Sequence, residues 1–446
     1  MALHIPTNIK RAAEITEQGW LPLFRQPRFN FDEVPISPDW AFAQAKRSDT
    51  TYITHGYHRY PAKFIPQLAR RLIDEYSVPG DQVLDPFCGC GTTLVEAMVS
   101  DRRSFGVDIN PIAVQISKAK IQHLDADELD NYQCQLEDRV KTISAEPPDN
   151  PRIAYWFKDE QMLGLAKLLA AIQELPSAGL RLFFLCAFSN ILKNCSIWHQ
   201  KSNKPTRDFK KQPADVMKAF TRQVRMMKRG NAVFRKAMQG RNPSTIAWCG
   251  DSRKLPLGDE SVDLMVTSPP YVTSYEYADL HQLSMLWFED LRDLRTFREE
   301  FIGSTLNREF AHNGQRKYDP RNTLAGDIVS LLEHKHAKTA SSVNNYFRAM
   351  HQIWVELARV LRPGAKACIV IGNTSLKGVE IRNAEVFAEQ LSNLGFQICD
   401  VIKREIPSKN LPSTRDKRTG KFAKVADADS WAYPTELILV AERNDD

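Results

Sequence analysis

The chain has 446 residues, of which 43% are hydrophobic and 26% charged, and its formal net charge is +6. Such a composition excludes a collagen-like, mucin-like or wholly disordered chain, and the length points to two or three domains or to one core with large insertions. No run approaches the ~18 apolar residues of a membrane span, the first twenty residues lack a signal-peptide core, and eight cysteines without a CxxC pair or zinc-spaced histidines predict a reduced, cytoplasmic protein with no structural metal.

In chain order, residues 1–54 are mixed, with scattered prolines, and are expected as an N-terminal arm lying on the core. Phe64, Leu68, Leu72 and Tyr76 recur every four residues, which predicts an amphipathic helix ended by Pro79-Gly80-Asp81. Gln82-Val83-Leu84-Asp85 is a short strand running into Pro86-Phe87-Cys88-Gly89-Cys90-Gly91-Thr92-Thr93, and Leu94–Met98 reads as a helix. A second strand, Arg103–Asn110, carries Asp108, and Pro111 suits the first turn of the next helix.

Residues 125–243 read as mainly helical. Between Lys193 and Arg241 there are fourteen Lys/Arg and two acids, Asp208 and Asp215, so this block carries +12 and the remaining chain about −6. Val216, Ala219, Phe220, Val224 and Met227 fall at helical spacing inside it, which predicts a folded helix with a basic face.

Strand signals return at Ser244–Asp251 and at Ser261–Val266, the second ending in Thr267-Ser268-Pro269-Pro270-Tyr271. Residues 272–345 read as mostly helical, with an irregular polar section near 305–325, and a helix is expected at Tyr346–Leu361. Arg362-Pro363-Gly364 is expected as a turn into a strand at Ala367–Gly372, and strands at Phe396–Ile402 and Glu436–Ala441 close the chain. The total is seven strands in an α/β arrangement with helical insertions.

Two motifs carry chemistry. In the first, glycines after a strand let the backbone turn tightly beside a ligand, and the following helix offers unpaired N–H groups at its start. With Asp108 placed one strand later for ribose hydroxyls, this is the pattern of a nucleotide-type cofactor site. No Lys-Ser/Thr follows the glycines, so it is not a Walker loop. In the second motif two prolines stiffen the chain, Ser268 and the Pro269 carbonyl offer acceptors, and Tyr271 offers a flat ring. Two acceptors beside a ring suit an exocyclic amino group on a planar base.

Together these motifs resemble the DNA amino-methyltransferases, which use S-adenosyl-L-methionine to methylate N4 of cytosine or N6 of adenine. The resemblance covers residues 55–125, 244–273 and 345–446. It implies a seven-stranded Rossmann-like methyltransferase sheet, with Asp85-Pro86-Phe87-Cys88-Gly89-Cys90-Gly91-Thr92-Thr93 as the cofactor loop and Ser268, Pro269, Pro270 and Tyr271 as the catalytic motif. Asp85, Pro86, Phe87, Gly89, Gly91, Thr92, Asp108 and Asp251 are then cofactor-binding. Lys63 and Phe64, in the element His58–Pro66, complete the methionine pocket. Ser at the head of the motif resembles the cytosine-N4 pattern, since Asp or Asn usually stands there in adenine enzymes. Many enzymes of this kind place the catalytic motif before the cofactor loop, the reverse of the order here.

The expected organisation is an arm (1–54), three core parts (55–125, 244–273, 346–446) and two helical insertions (126–243, 274–345). The first insertion is the leading candidate for DNA contact, through Lys201, Lys204, Arg207, Lys210, Lys211, Arg222, Arg225, Lys228 and Arg229. Arg415, Lys417 and Arg418, between the last two strands, are the second, and the 305–325 segment is the third. Tyr275 and Tyr277 are candidates for the base pocket. The expected partner is double-stranded DNA, with a separately encoded restriction endonuclease, and the enzyme is expected on the nucleoid when bound to DNA. Competing readings are an adenine-N6 enzyme, an RNA amino-methyltransferase acting on transfer RNA, and a non-catalytic DNA-binding subunit.

Overall fold

A computed structural model of the chain describes residues 27–60, 63–202, 204–272, 277–288, 298, 301–303, 320–406, 414–415, 430–431 and 435–445. Seven strands form one sheet: β1 Gln82–Asp85, β2 Arg103–Asp108, β3 Thr245–Cys249, β4 Val262–Thr267, β5 Leu361–Ile371, β6 Phe396–Glu405 and β7 Thr435–Arg443. Their spatial order is β3-β2-β1-β4-β5-β7-β6. Neighbours among the first five are parallel, and β7 runs antiparallel to both β5 and β6. These are the seven strands expected from the sequence.

The order fixes where a ligand site belongs. From β1 the chain moves to β2 on one side, and β4 later pairs on the other side of β1, so the order reverses between β1 and β4. Open α/β sheets bind ligands outside the strand ends at such a switch point. The glycine loop leaves β1 there, and Thr267 ends β4 beside it.

Helices cover both faces. α1 Pro66–Tyr76 buries Leu68, Leu72 and Ile73 and, with β4 and β5 residues, encloses one core; the arm residue Trp40 joins it. Trp40 lies under the Arg71 guanidinium at 3.7 Å, and Phe31 is buried in the opposite core. α2 Thr92–Val99 is buried along its whole length. Asn110 caps α3 Pro111–Lys120 by accepting from the Ile112 N–H at 3.0 Å.

The insertion supplies α4 Ala126–Thr142, α5 Pro151–Trp156, α6 Asp159–Gln173, α7 Ala178–Cys195 and α8 Val216–Ala237. Its core, with fully buried Trp156, Phe183, Phe184, Phe188 and Phe220, is continuous with Cys90, Ile112 and Ile116 behind the glycine loop. α8 buries Val216, Phe220, Val224 and Met227 and turns Lys218, Arg222, Arg225 and Arg229 outward, the amphipathic pattern its sequence predicts. α9 Gln282–Phe288 follows the catalytic motif and packs into the same core. α10 Leu324–Val360 and α11 Asn383–Ser392 cover the face beside β5 and β7.

Two local expectations are corrected. The helical stretch expected up to residue 345 and the helix expected from Tyr346 are one element, Leu324–Val360, which passes a non-helical residue, His336, and buries Leu324, Ile328 and Leu332 in its first half. Arg362-Pro363-Gly364 is not a turn before a strand but a bulge within β5. The register with β4 jumps from Val262↔Leu361 to Leu264↔Lys366, and Gly364 at φ +74° takes up the extra residues. The 305–325 segment and the Arg415–Lys421 stretch fall almost wholly outside the described residues. No helix among the described residues is long and apolar enough to cross a membrane.

Candidate active site

At the switch point a cleft of about 940 Å³, open to solvent, is lined by both motifs. Of the predicted residues, Lys63, Phe64, Asp85, Phe87, Gly89, Thr92, Asp108, Asp251, Ser268 and Pro270 line it. Pro86, Gly91, Pro269 and Tyr271 are not among the residues that line it. Tyr60, Ile109, Asn110, Phe301 and Ile302 also line the cleft and were not singled out from the sequence, and Ser252 lines it beside Asp251. Tyr60 sits in the His58–Pro66 element, and Asn110-Pro111 is a helix-start signal, so these two were within reach. Phe301 and Ile302 arrive from a distant segment with no local pattern.

The loop's geometry follows from its glycines. Gly89 and Gly91 have φ of +47° and +73°, a region that side chains disfavour. A Cβ on Gly91 would lie 2.8 Å from the Ser117 hydroxyl, and one on Gly89 would lie 3.2 Å from the Tyr60 hydroxyl. α3 holds the loop from behind: Ser117 Oγ donates to the Gly89 carbonyl at 2.7 Å, and the buried Lys120 ammonium donates to the Cys90 carbonyl at 2.6 Å. Cys88 and Cys90 are buried free cysteines, and both also line the cleft.

Two carboxylates organise the floor. Asp108 accepts from the Gly89 N–H at 2.9 Å and from the Asn110 N–H at 2.8 Å. Asp85 accepts from the Thr93 hydroxyl at 2.6 Å, the Thr267 hydroxyl at 2.7 Å and the Phe87 N–H at 3.1 Å. Asp85 therefore ties the glycine loop and α2 to the strand that carries Ser268. Burial pushes both acids up to about 6, against the lowering effect of those hydrogen bonds. Asp251 is bound by Arg253, whose Nε lies 2.9 Å from Oδ1, which weakens its claim as a free acceptor in the cleft. Lys63 turns its ammonium to the carbonyls of Thr50 at 2.9 Å and His55 at 3.2 Å, and burial pushes it down to about 8.

The Ser268–Tyr271 motif is braced from two sides. Tyr346 donates its hydroxyl to the Pro270 carbonyl at 2.8 Å. Tyr271 donates its hydroxyl to Glu436 at 3.0 Å, and Arg404 holds the other oxygen of that carboxylate at 2.8 Å. Ser268 is left half-buried on the cleft, while Pro269 is buried. Tyr275 and the Tyr277 side chain lie outside the described residues.

A second polar wall joins the cleft to the insertion. Asn110 and His281 meet through their side chains at 2.8 Å, and His58 reaches the Ser189 hydroxyl at 2.9 Å. Burial pushes His58 down to about 4 and His281 to about 3, so both are neutral at physiological pH.

The basic candidates divide. Lys201, Lys204, Lys210, Arg222, Arg225 and Arg229 are exposed. Two are corrected. Lys211 donates to the carbonyls of Lys193 at 2.6 Å and Trp198 at 2.8 Å, and Lys228 pairs with Asp130 and donates to Gln133 at 2.8 Å. Both ammonium groups serve the protein's own structure, because the surrounding fold leaves them half-buried beside acceptors. Arg207 is stacked between Tyr155 and Phe209. The Arg415 side chain, Lys417 and Arg418 lie outside the described residues. Among the described residues no cluster of His, Cys, Asp or Glu is arranged to hold a metal.

Comparison with known proteins adds three findings. A family profile described as DNA methylase matches residues 9–119 and 262–446. The Type II methyltransferase M.MvaI of Kocuria varians is 27% identical over 425 residues, covering 88% of this chain and 92% of that protein. The Type II methyltransferase M.BsoBI of Geobacillus stearothermophilus is 22% identical over 429 residues, covering 83% of each chain. A shorter match, 34% over 95 residues, joins 20% of this chain to 28% of the tRNA (guanine(10)-N2)-dimethyltransferase of Methanothermobacter thermautotrophicus.

Proposed function

The chain belongs to the DNA methylase family, and from that premise we propose that it methylates N4 of cytosine at a specific sequence in duplex DNA, as the modification partner of a restriction endonuclease. Its cofactor is S-adenosyl-L-methionine, and its reaction is methyl transfer to an exocyclic amine of DNA. The cytosine-N4 reading rests on one observation: Ser268, the residue heading Ser268-Pro269-Pro270-Tyr271, stands on the cleft at the end of β4.

The cleft suits the cofactor. Gly91, with no room for a Cβ against Ser117, holds the loop tightly on α3, and Gly89 presents its bare backbone to the cleft. Asp108, at the end of β2, is an acceptor for ribose hydroxyls. Phe87 and Phe64 supply apolar walls. When bound, S-adenosylmethionine supplies an electrophilic methyl group on a positively charged sulfur.

The chain's own residues then prepare the amine. Its lone pair is delocalised into the base, so it is a weak nucleophile. Ser268 Oγ and the Pro269 carbonyl accept its two N–H groups and draw the nitrogen toward tetrahedral geometry. The same acceptors stabilise positive charge developing on nitrogen. Tyr271, its hydroxyl held by Glu436, offers a ring against a base rotated out of the duplex. The proton leaves after transfer, so no strong base is needed beforehand. Asp85 keeps the two halves in register through Thr93 and Thr267. Arg222, Arg225 and Arg229 on α8 face DNA phosphates in this reading.

The test is to sequence DNA from a host expressing the protein with a method that reads N4-methylcytosine and N6-methyladenine. N4-methylcytosine at one recurring sequence is the expected result. N6-methyladenine there overturns the base assignment alone. Unmodified DNA, with methyl transfer to transfer RNA in vitro, overturns the whole reading.

A further inference from the structure

Residues 196–202 and 204–211 pair with each other between α7 and α8. Trp198 and Arg207 form an antiparallel bridge, and the His199 N–H donates to the Thr206 carbonyl at 2.8 Å. Two ammonium groups tie the segment internally: Lys193 donates to the Ser202 carbonyl at 2.8 Å and Lys211 to the Trp198 carbonyl at 2.8 Å. A loop this closely tied presents its outer side chains in fixed positions.

Those outer side chains form a stack. The Arg207 guanidinium lies 4.1 Å from the Tyr155 ring centroid and 4.5 Å from that of Phe209. Phe209 is 74% exposed and Tyr155 49% exposed. A single exposed apolar residue is unremarkable. Here the exposed ring and Tyr155 both contact one guanidinium, and Lys201, Lys204 and Lys210 of the same hairpin are exposed. The one acid of the segment, Asp208, is turned to the Lys210 N–H at 3.0 Å. Aromatic faces set among exposed cations are what nucleic acid binds by stacking and phosphate neutralisation. The platform is also joined to the catalytic side. Phe157, just after Tyr155, packs edge-on against Trp287 of α9 at 5.7 Å, and α9 follows the catalytic motif.

We propose that this hairpin is a docking surface for duplex DNA, with Lys201, Lys204 and Lys210 on phosphates and the Phe209 ring, backed by Arg207 and Tyr155, stacked on a base exposed where the duplex opens. The proposal rests on the reading of DNA as substrate and names where part of it sits.

The two kinds of contact separate by salt dependence. A fluorescent duplex of about 30 base pairs is titrated with the full chain at several salt concentrations, in parallel with methyl transfer to unmodified plasmid DNA. Phe209→Ala is expected to weaken duplex binding by roughly 5- to 100-fold, as for loss of a stacked base, with the salt slope unchanged. The triple variant Lys201→Ala/Lys204→Ala/Lys210→Ala is expected to lower the slope by roughly 2 to 3. Both substitutions lie on exposed side chains, and an unchanged thermal melt confirms folding. Wild-type binding by both folded variants overturns the surface while leaving the methyltransferase reading intact. A change in the oligomeric state of Phe209→Ala, with DNA binding unaltered, also overturns it, in favour of a protein contact. Duplex binding altered as expected in a chain that transfers no methyl to DNA supports the surface and sinks the catalytic reading instead.

Discussion

The cofactor cleft and the helical insertion use the same charged residue types in opposite ways. Around the cleft, charge is buried and locked: Asp85 and Asp108 are pushed up to about 6, and Lys120 is fully enclosed with its ammonium on the Cys90 carbonyl. In the insertion, Arg222, Arg225 and Arg229 stand in water on one stripe of α8. The family profile matches on both sides of residues 120–261 and not within them. A buried charge sets geometry at one point, whereas an exposed stripe offers an average field to a polyanion. Charge count alone therefore does not reveal a residue's task, as Lys211 and Lys228 show from within the basic block.

Substitutions that separate the two regions test this contrast. The largest effect is expected for Ser268→Ala, which removes an acceptor from the developing charge and should lower single-turnover methyl transfer by roughly 10²–10³-fold. Cofactor affinity by calorimetry should be unchanged, and normal turnover in this variant would remove Ser268 from the mechanism. Next, Asp108→Ala should weaken S-adenosylmethionine by roughly 10- to 100-fold, the value of a hydrogen bond to a charged group. Duplex binding should be unaffected, and normal cofactor binding would assign the ribose elsewhere.

The reverse pattern is expected for Arg222→Ala/Arg225→Ala/Arg229→Ala. Cofactor affinity should hold while the salt slope of DNA binding drops by roughly 0.9 for each arginine that meets a phosphate. An equal loss of cofactor affinity would erase the distinction between the regions. The smallest effect is a pH dependence. Ribose donors and a cationic sulfur favour the ionised form of Asp108, whose pKa is raised to about 6, so binding releases a proton where the free acid is protonated. Affinity should be flat above that value and fall below it, roughly tenfold at pH 5 relative to pH 7.5 for one such group. Calorimetry in buffers of different ionisation enthalpy detects the released proton, and pH-independent affinity would contradict the role.

The seven strands were legible because each is a short apolar run bounded by turn residues, and the glycine loop because strand, glycines, helix and acid follow within 30 residues. The amphipathic α8 was legible from Phe220, Val224 and Met227. What escaped depended on contacts distant in sequence. Phe301 and Ile302 reach the cleft from a separate segment, and the Asn110–His281 bond joins residues 171 apart. The bulge in β5 escaped because Pro-Gly reads as a turn wherever it stands, and only the β4 partner shows that the strand continues through it.

The shared core behind the glycine loop bears on engineering. Tyr57, Cys90, Ile112 and Ile116 pack with Trp156, Phe183 and Phe220, so the helices of the insertion have no seam along which to be lifted away. A chimera that swaps residues 126–243 for those of a relative, made to test whether they set the sequence read, would strip an apolar wall from the back of the glycine loop. Such a graft must bring a matching inner face, or be confined to outward positions such as Arg222 and Arg225. New specificity is then more accessible by resurfacing than by transplantation.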